Sequence, residues 1–116
     1  MKEIFVFGSN RAGRHGMGAA LFARKYHGAV YGIGEGLTGT AYAIPTKDGD
    51  LNTLPLSEIE KHIVIFIKYA RSNLKMLFML TPIGTGLAGY SKSEIANILK
   101  KYELPNNIVL TTSWLD

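Results

Sequence analysis

Residues 1–26 read MKEIFVFGSNRAGRHGMGAALFARKY. An apolar run, Ile4–Phe7, meets Gly8-Ser9-Asn10, and glycines at positions 8, 13, 16 and 18 precede an alanine-rich segment. A short continuous apolar run is the pattern of a strand covered on both faces. Ala19, Phe22, Ala23 and Tyr26 recur at helical spacing, which predicts a helix over 18–27 with one apolar face. Strand, glycine-rich loop and helix in that order predict an α/β unit. The glycines allow the backbone to turn sharply and to approach a neighbour closely.

The alternation continues along the chain. Ala29–Tyr31 and Ala41–Pro45 read as short strands joined by GIGEGLTGT (32–40), and Lys47–Pro55 is polar and turn-rich. A helix is expected over 58–72, with Ser57 and Glu60 as a capping box and Ile59, Ile63, Phe66, Ile67 and Ala70 as its buried stripe. Met76–Thr81 reads as a strand, followed by a second glycine loop, PIGTGLAGY (82–90). Ser91 and Glu94 form another capping box, opening a helix that buries Ile95, Ile98, Leu99 and Tyr102. Ile108–Thr112 reads as a last strand. The expected fold is one domain over 1–116, a three-layer α/β/α arrangement on a mostly parallel sheet of about five strands.

Composition narrows the function classes. A 47% hydrophobic and 19% charged content fits an ordinary globular chain. No cysteine is present, which excludes disulfides and thiolate metal sites and agrees with a reducing cytosol. His27 and His62 belong to no ligand cluster, so neither a metal nor a cofactor is expected. No apolar run has the length of a membrane span. Met1–Glu3 lead into a strand without a signal-peptide pattern, so the expected location is cytoplasmic. The net charge of +4 favours an anionic partner.

Both glycine loops follow a strand and lead to a helix, where open α/β sheets bind ligands. Free N–H groups and the helix dipole favour phosphate there, and glycines let successive N–H groups converge on one oxygen. Neither loop is a P-loop: the first lacks a Gly-Lys-Ser/Thr ending, and no lysine precedes Thr85. The spacing of the first loop is not G-x-G-x-x-G either. ATP hydrolysis and Rossmann-type NAD binding are disfavoured.

FGSNRAGRHGMGAALFARKYHGA (7–29) is similar to the macro-domain segment of strand, asparagine, glycine-rich loop and alanine-rich helix. LTPIGTGLAGYSKSEIANIL (80–99) resembles the macro-domain I-G-T-G loop that leads to a helix. AYAIPTK (41–47) resembles a strand of the divergent macro domains that remove ADP-ribose from glutamate. The three pieces occur in family order, and the opening also resembles small bacterial and phage proteins. The resemblance implies an ADP-ribose or related NAD-derived nucleotide in a cleft above the sheet. It assigns Asn10 to the distal ribose, within a binding turn that includes Gly8, Ser9, Gly13 and His15. Gly16, Met17 and Gly18 would pass backbone against the ribose and phosphates, with Thr46 beside them. Gly84, Thr85, Gly86, Leu87, Ala88, Gly89 and Tyr90 would wrap the diphosphate, with Thr85 and backbone N–H groups as donors, and Ile83 before them is also expected in the ligand site. The chain also departs from the family. The aspartate that reads adenine has no counterpart ahead of the first strand, and Ala88 stands where relatives carry an aromatic residue or a catalytic aspartate.

Lys47 falls where the glutamate-linked ADP-ribose hydrolases place a nucleophilic lysine. To attack it must lose a proton, from an ordinary pKa near ~10.4. The alternative is a solvated lysine pairing with Asp48 or a phosphate. His15 reads as an acid–base or phosphate-binding group, or else as a solvent-facing loop residue. Arg11 and Arg14 are suited to phosphate but are also ordinary loop residues. Tyr31, Tyr42 and Tyr90 are candidates to stack on a base, each with a core role as the alternative. Glu35 and Asp48 are acids in loops, and nothing in the sequence pairs them.

The leading expectation is a nucleotide reader or sequestering protein. The second is an ADP-ribosyl hydrolase using Lys47. A nucleic-acid-binding module is a third class; scattered basic residues, without an aromatic-interleaved basic strand, disfavour it. A lysine-decarboxylase-like Rossmann fold is a fourth, of whose G-G-x-G-T run only Gly84-Thr85-Gly86 is present.

Overall fold

A computed structural model describes all residues, 1–116. Five strands form one sheet: β1 (Lys2–Asn10), β2 (Gly36–Thr38), β3 (Ala41–Lys47), β4 (Met76–Leu80) and β5 (Ile108–Leu110). Their order is β2-β3-β1-β4-β5, with β2 antiparallel to β3 and all other pairs parallel. The helices are α1 (Gly18–Tyr26), α2 (Leu56–Arg71) and α3 (Lys92–Leu99), and a 3-10 turn, Thr112–Leu115, ends the chain.

β1 is the central strand, and its side chains alternate between two unequal cores. Ile4 and Val6 join the larger core with Ile59, Ile63, Phe66 and Ile67 of α2 and Ile95, Ile98 and Leu99 of α3. Each such side chain stabilises by about 1.5–3 kcal/mol when fully buried. Phe7 faces the other way, into a small core otherwise made of alanines, with Ala20 and Ala23 of α1 among them. The small side chains let α1 lie close to the sheet. The expected three-layer α/β/α fold is therefore present, with one helix on one face and two on the other.

Several local expectations are corrected. β1 does not end at Phe7: Gly8, Ser9 and Asn10 pair with Ile44, Pro45 and Lys47. Ladder pairing overrides the weak strand propensity of Gly-Ser-Asn. Pro45 has no N–H to give, and the register shifts between Ser9 and Asn10 while Thr46 Oγ1 donates to Ser9 O at 3.2 Å. Ala29–Tyr31 is not a strand, and the edge strand forms later, at Gly36–Thr38 within the glycine-rich joint. The Ser57–Glu60 capping box does not form. α2 begins at Leu56 behind Pro55, and Glu60 instead accepts from Lys101 and Tyr102. The Ser91–Glu94 box forms with both of its hydrogen bonds.

The connections from β1 and β4 diverge. β1 runs through α1 toward β3 on one side, and β4 runs through α3 to β5 on the other. The C-terminal ends of these neighbouring strands thus flank a switch point, where an open sheet leaves a crevice.

Candidate functional site

A cleft of about 420 Å³ occupies that switch point. Its floor is the C-terminal ends of β1, β3 and β4, and the two glycine loops meet there. A Cβ added to Gly8 would lie 3.3 Å from Gly84 N. From the first loop region Gly8, Ser9, Asn10, Gly16, Met17 and Gly18 line the cleft. Thr46 and Lys47 contribute from β3. The second loop contributes Ile83, Gly84, Gly86, Leu87 and Ala88.

The backbone here is rich in free donors. None of the N–H groups of the five residues Gly16–Ala20 donates to a protein acceptor, and neither does any of the five from Gly84 to Ala88. On α1 this follows from helix geometry, since the first turn has no intrahelical acceptors and Met17 supplies no side-chain cap. In the second loop Gly84 adopts φ +74, which a side-chain-bearing residue takes only with strain. Tyr90 N and Gly89 N turn back onto Gly84 O and Gly86 O, leaving the intervening amides unbonded. Gly16 and Gly86 line the cleft without positive φ and with nothing within 4 Å of an added Cβ. The fold does not require glycine at either position; close approach by a ligand would.

The charge in the cleft has one sign. Arg14 and Lys47 are its only charged side chains, and neither forms an ion pair. Arg14 is placed by Asn10: its N–H donates to Asn10 Oδ1 and its carbonyl accepts from Asn10 Nδ2, both at 2.9 Å. The Asn10 amide is therefore engaged with backbone and acts as a positioning group. Lys47 does not pair with Asp48, whose carboxylate accepts from the Asn52 and Asp50 N–H groups at 2.9 Å. The Asn52 backbone bond is the chief cause holding that carboxyl below its usual range.

Other expected site residues lie elsewhere. Gly13, His15, Thr85, Gly89 and Tyr90 do not line the cleft. His15 is neither solvent-facing nor in the cleft: it is 0% exposed, edge-on to Phe7 at 5.4 Å and to Tyr31 at 6.2 Å. Neither of its ring nitrogens has a hydrogen-bond partner. Burial lowers its pKa; the nearby Ile33 backbone opposes this without a bond of normal geometry, and Arg24 adds to the lowering. Thr85 Oγ1 donates to Pro82 O, and Tyr90 OH donates to Leu54 O at 2.7 Å. Tyr42 is buried among Phe66, Tyr69 and Phe78, and Tyr31 stands under the Arg24 guanidinium. None of the three tyrosines is placed to stack on a base in the cleft. Arg11 pairs with Glu58, and Glu35 with His62, away from the cleft. Sequence reasoning did not place Ala19, Ala20, Leu51, Thr81 or Pro82 in the site. Thr81 and Pro82 were findable as the end of β4; for Leu51 no sequence signal exists.

No helix is long and apolar enough to cross a membrane. Compared with known proteins, the chain matches no family model, no curated protein and no solved structure.

Proposed function

We propose that the cleft binds ADP-ribose or a related NAD-derived nucleotide, and that the protein acts as a reader or sequestering protein of macro-domain-like type. The observation that carries this reading is the pair of free amide runs, Gly16–Ala20 and Gly84–Ala88, brought to one cleft from adjacent strands. Nine cleft-lining residues whose N–H groups have no protein acceptor, an uncapped helix start, Arg14 and Lys47 favour a group with several anionic oxygens. A pyrophosphate fits that demand. The cleft volume suits a small ligand, typically held in ~300–1,000 Å³.

Thermal denaturation with ADP-ribose and cyclic ADP-ribose isomers tests it. A ligand at about a hundred times its Kd adds ~2.7 kcal/mol of apparent stability. Gly86→Val adds a side chain where a Cβ meets nothing within 4 Å, in the space the ligand would use, so it should abolish the shift while preserving the unliganded Tm. Absence of a shift with every one of these nucleotides would overturn the reading.

The position of Lys47 in the cleft favours one second reading, hydrolysis of an ADP-ribosyl bond. The cleft lining holds no carboxylate or imidazole to serve as general acid or base, which supports binding over turnover. Product release by wild type that is lost in Lys47→Ala, with binding retained, would reverse that order.

A further inference from the structure

Three large apolar side chains stand exposed at the cleft. Met17, Leu51 and Leu87 come from three different loops, are 65%, 46% and 63% exposed, and all line the cleft. Large apolar side chains gathered in water around one cleft mark a ligand surface. Leu51 is also the one non-glycine residue with positive φ, at 66°. Such a conformation costs a leucine energy, and its side chain can make no hydrogen bond in return. The turn that imposes it is fixed by Asp48, which accepts from Asp50 N and Asn52 N, while Leu51 N donates to Asp48 O. Thr53 Oγ1 donates to Ala88 O at 2.9 Å, tying the Leu51 loop to the Leu87 loop.

The uncharged polar side chains of the cleft are already committed. Ser9 Oγ donates to Gly34 O, Thr46 Oγ1 to Ser9 O, and Thr81 Oγ1 to Val6 O. The Asn10 amide is engaged with Arg14 backbone. The donors left free are backbone amides, Arg14 and Lys47, and the two cations are suited to anionic oxygen.

We infer that Met17, Leu51 and Leu87 hold the base of a bound nucleotide by its faces, and that no uncharged side chain reads its edge. The inference rests on the nucleotide-binding reading above and extends it. The ligand class becomes nucleoside diphosphate-riboses with little distinction between bases. Sites built to hydrogen-bond a particular group reject analogues by roughly 10⁴-fold, whereas apolar contact discriminates far less.

Calorimetric titration with three probes tests it: ADP-ribose, its hypoxanthine counterpart and inorganic pyrophosphate. The two nucleotides should bind wild type within about tenfold of each other. Leu51→Gly and Leu87→Ser should each weaken both nucleotides roughly tenfold, through lost apolar contact, and leave pyrophosphate binding unchanged. Leu51→Gly should keep or raise the Tm, because glycine takes this φ without strain. A gap between the nucleotides wider than about tenfold overturns the inference, as does unchanged nucleotide binding in both variants. Either result leaves the nucleotide reading standing. Failure of ADP-ribose to bind removes the inference, and failure of the cyclic ADP-ribose isomers as well removes both.

Discussion

The two glycine loops look alike in sequence and do different work. The first runs into α1, whose start carries no side-chain cap and opens onto the cleft. The second precedes α3, whose start is closed by its own Ser91–Glu94 box, and no α3 residue lines the cleft. The first loop therefore offers a helix start with its dipole, and the second offers only the amides of a turn. Equal glycine content does not imply equal electrostatics. A capping residue decides whether a helix start is left for a ligand or used by the helix itself.

The contrast can be broken at its largest effect by substituting glycines that serve different ends. Gly13 has φ +69, and a Cβ there would lie 2.3 Å from Gly32 C. Gly13→Ala should cost about 3 kcal/mol, read by urea unfolding, whereas Gly86→Ala should stay within about 0.5 kcal/mol. Comparable losses in both would mean that the fold, not a ligand, demands Gly86. Next in size, on the proposed nucleotide reading Arg14→Ala should weaken ADP-ribose roughly tenfold with little change in Tm, since charge-assisted contacts to phosphate would be lost while no ion pair is. Ser91→Ala sharpens the comparison from the other loop. It should remove about 1 kcal/mol of stability and leave ADP-ribose affinity unchanged. If Ser91→Ala weakened the ligand as much as Arg14→Ala, both helix starts would serve the cleft.

The smallest expected effect is a pH dependence behind the first loop. The pKa of His15 is depressed in the folded chain below its ordinary value of 6.5. Above that value both folded and unfolded chains hold the imidazole neutral. As pH falls below it, the unfolded chain takes up a proton that the folded chain resists, so stability is lost down to the depressed folded value. His15→Phe keeps an apolar ring beside Phe7 and removes two unpartnered nitrogens. The Tm of the variant should fall less than that of wild type between pH 7 and pH 5, about the ordinary imidazole range. Parallel curves would remove His15 as the cause.

Much of the fold was legible because its signals are local. The apolar run Ile4–Phe7, the stripe of Ile59, Ile63, Phe66, Ile67 and Ala70, and the Ser91–Glu94 box each lie within a few residues, and each formed. Ser57–Glu60 has the same spacing and did not cap: α2 begins ahead of Ser57, at Leu56, and Tyr102 and Lys101, some forty residues away, take the Glu60 carboxylate. The edge strand at Gly36–Thr38 was hidden because its partner Ala41–Ala43, not its own composition, makes it a strand. In the site, the glycine loops were visible. The burial of His15 and the use of Tyr90 OH on Leu54 O were not, since both depend on neighbours distant in sequence or on how a loop folds over.

By itself the sequence determined an alternating α/β chain, the helix faces, and two glycine-rich turns after strands, because periodicity and glycine chemistry act over a few residues. Tertiary structure alone decided that both turns open on one cleft, that Arg14 and Lys47 face it without a carboxylate, and that Leu51 stands on its rim. Those facts depend on strand order and on where loops meet across the sheet, and neither is encoded at any single stretch of the chain.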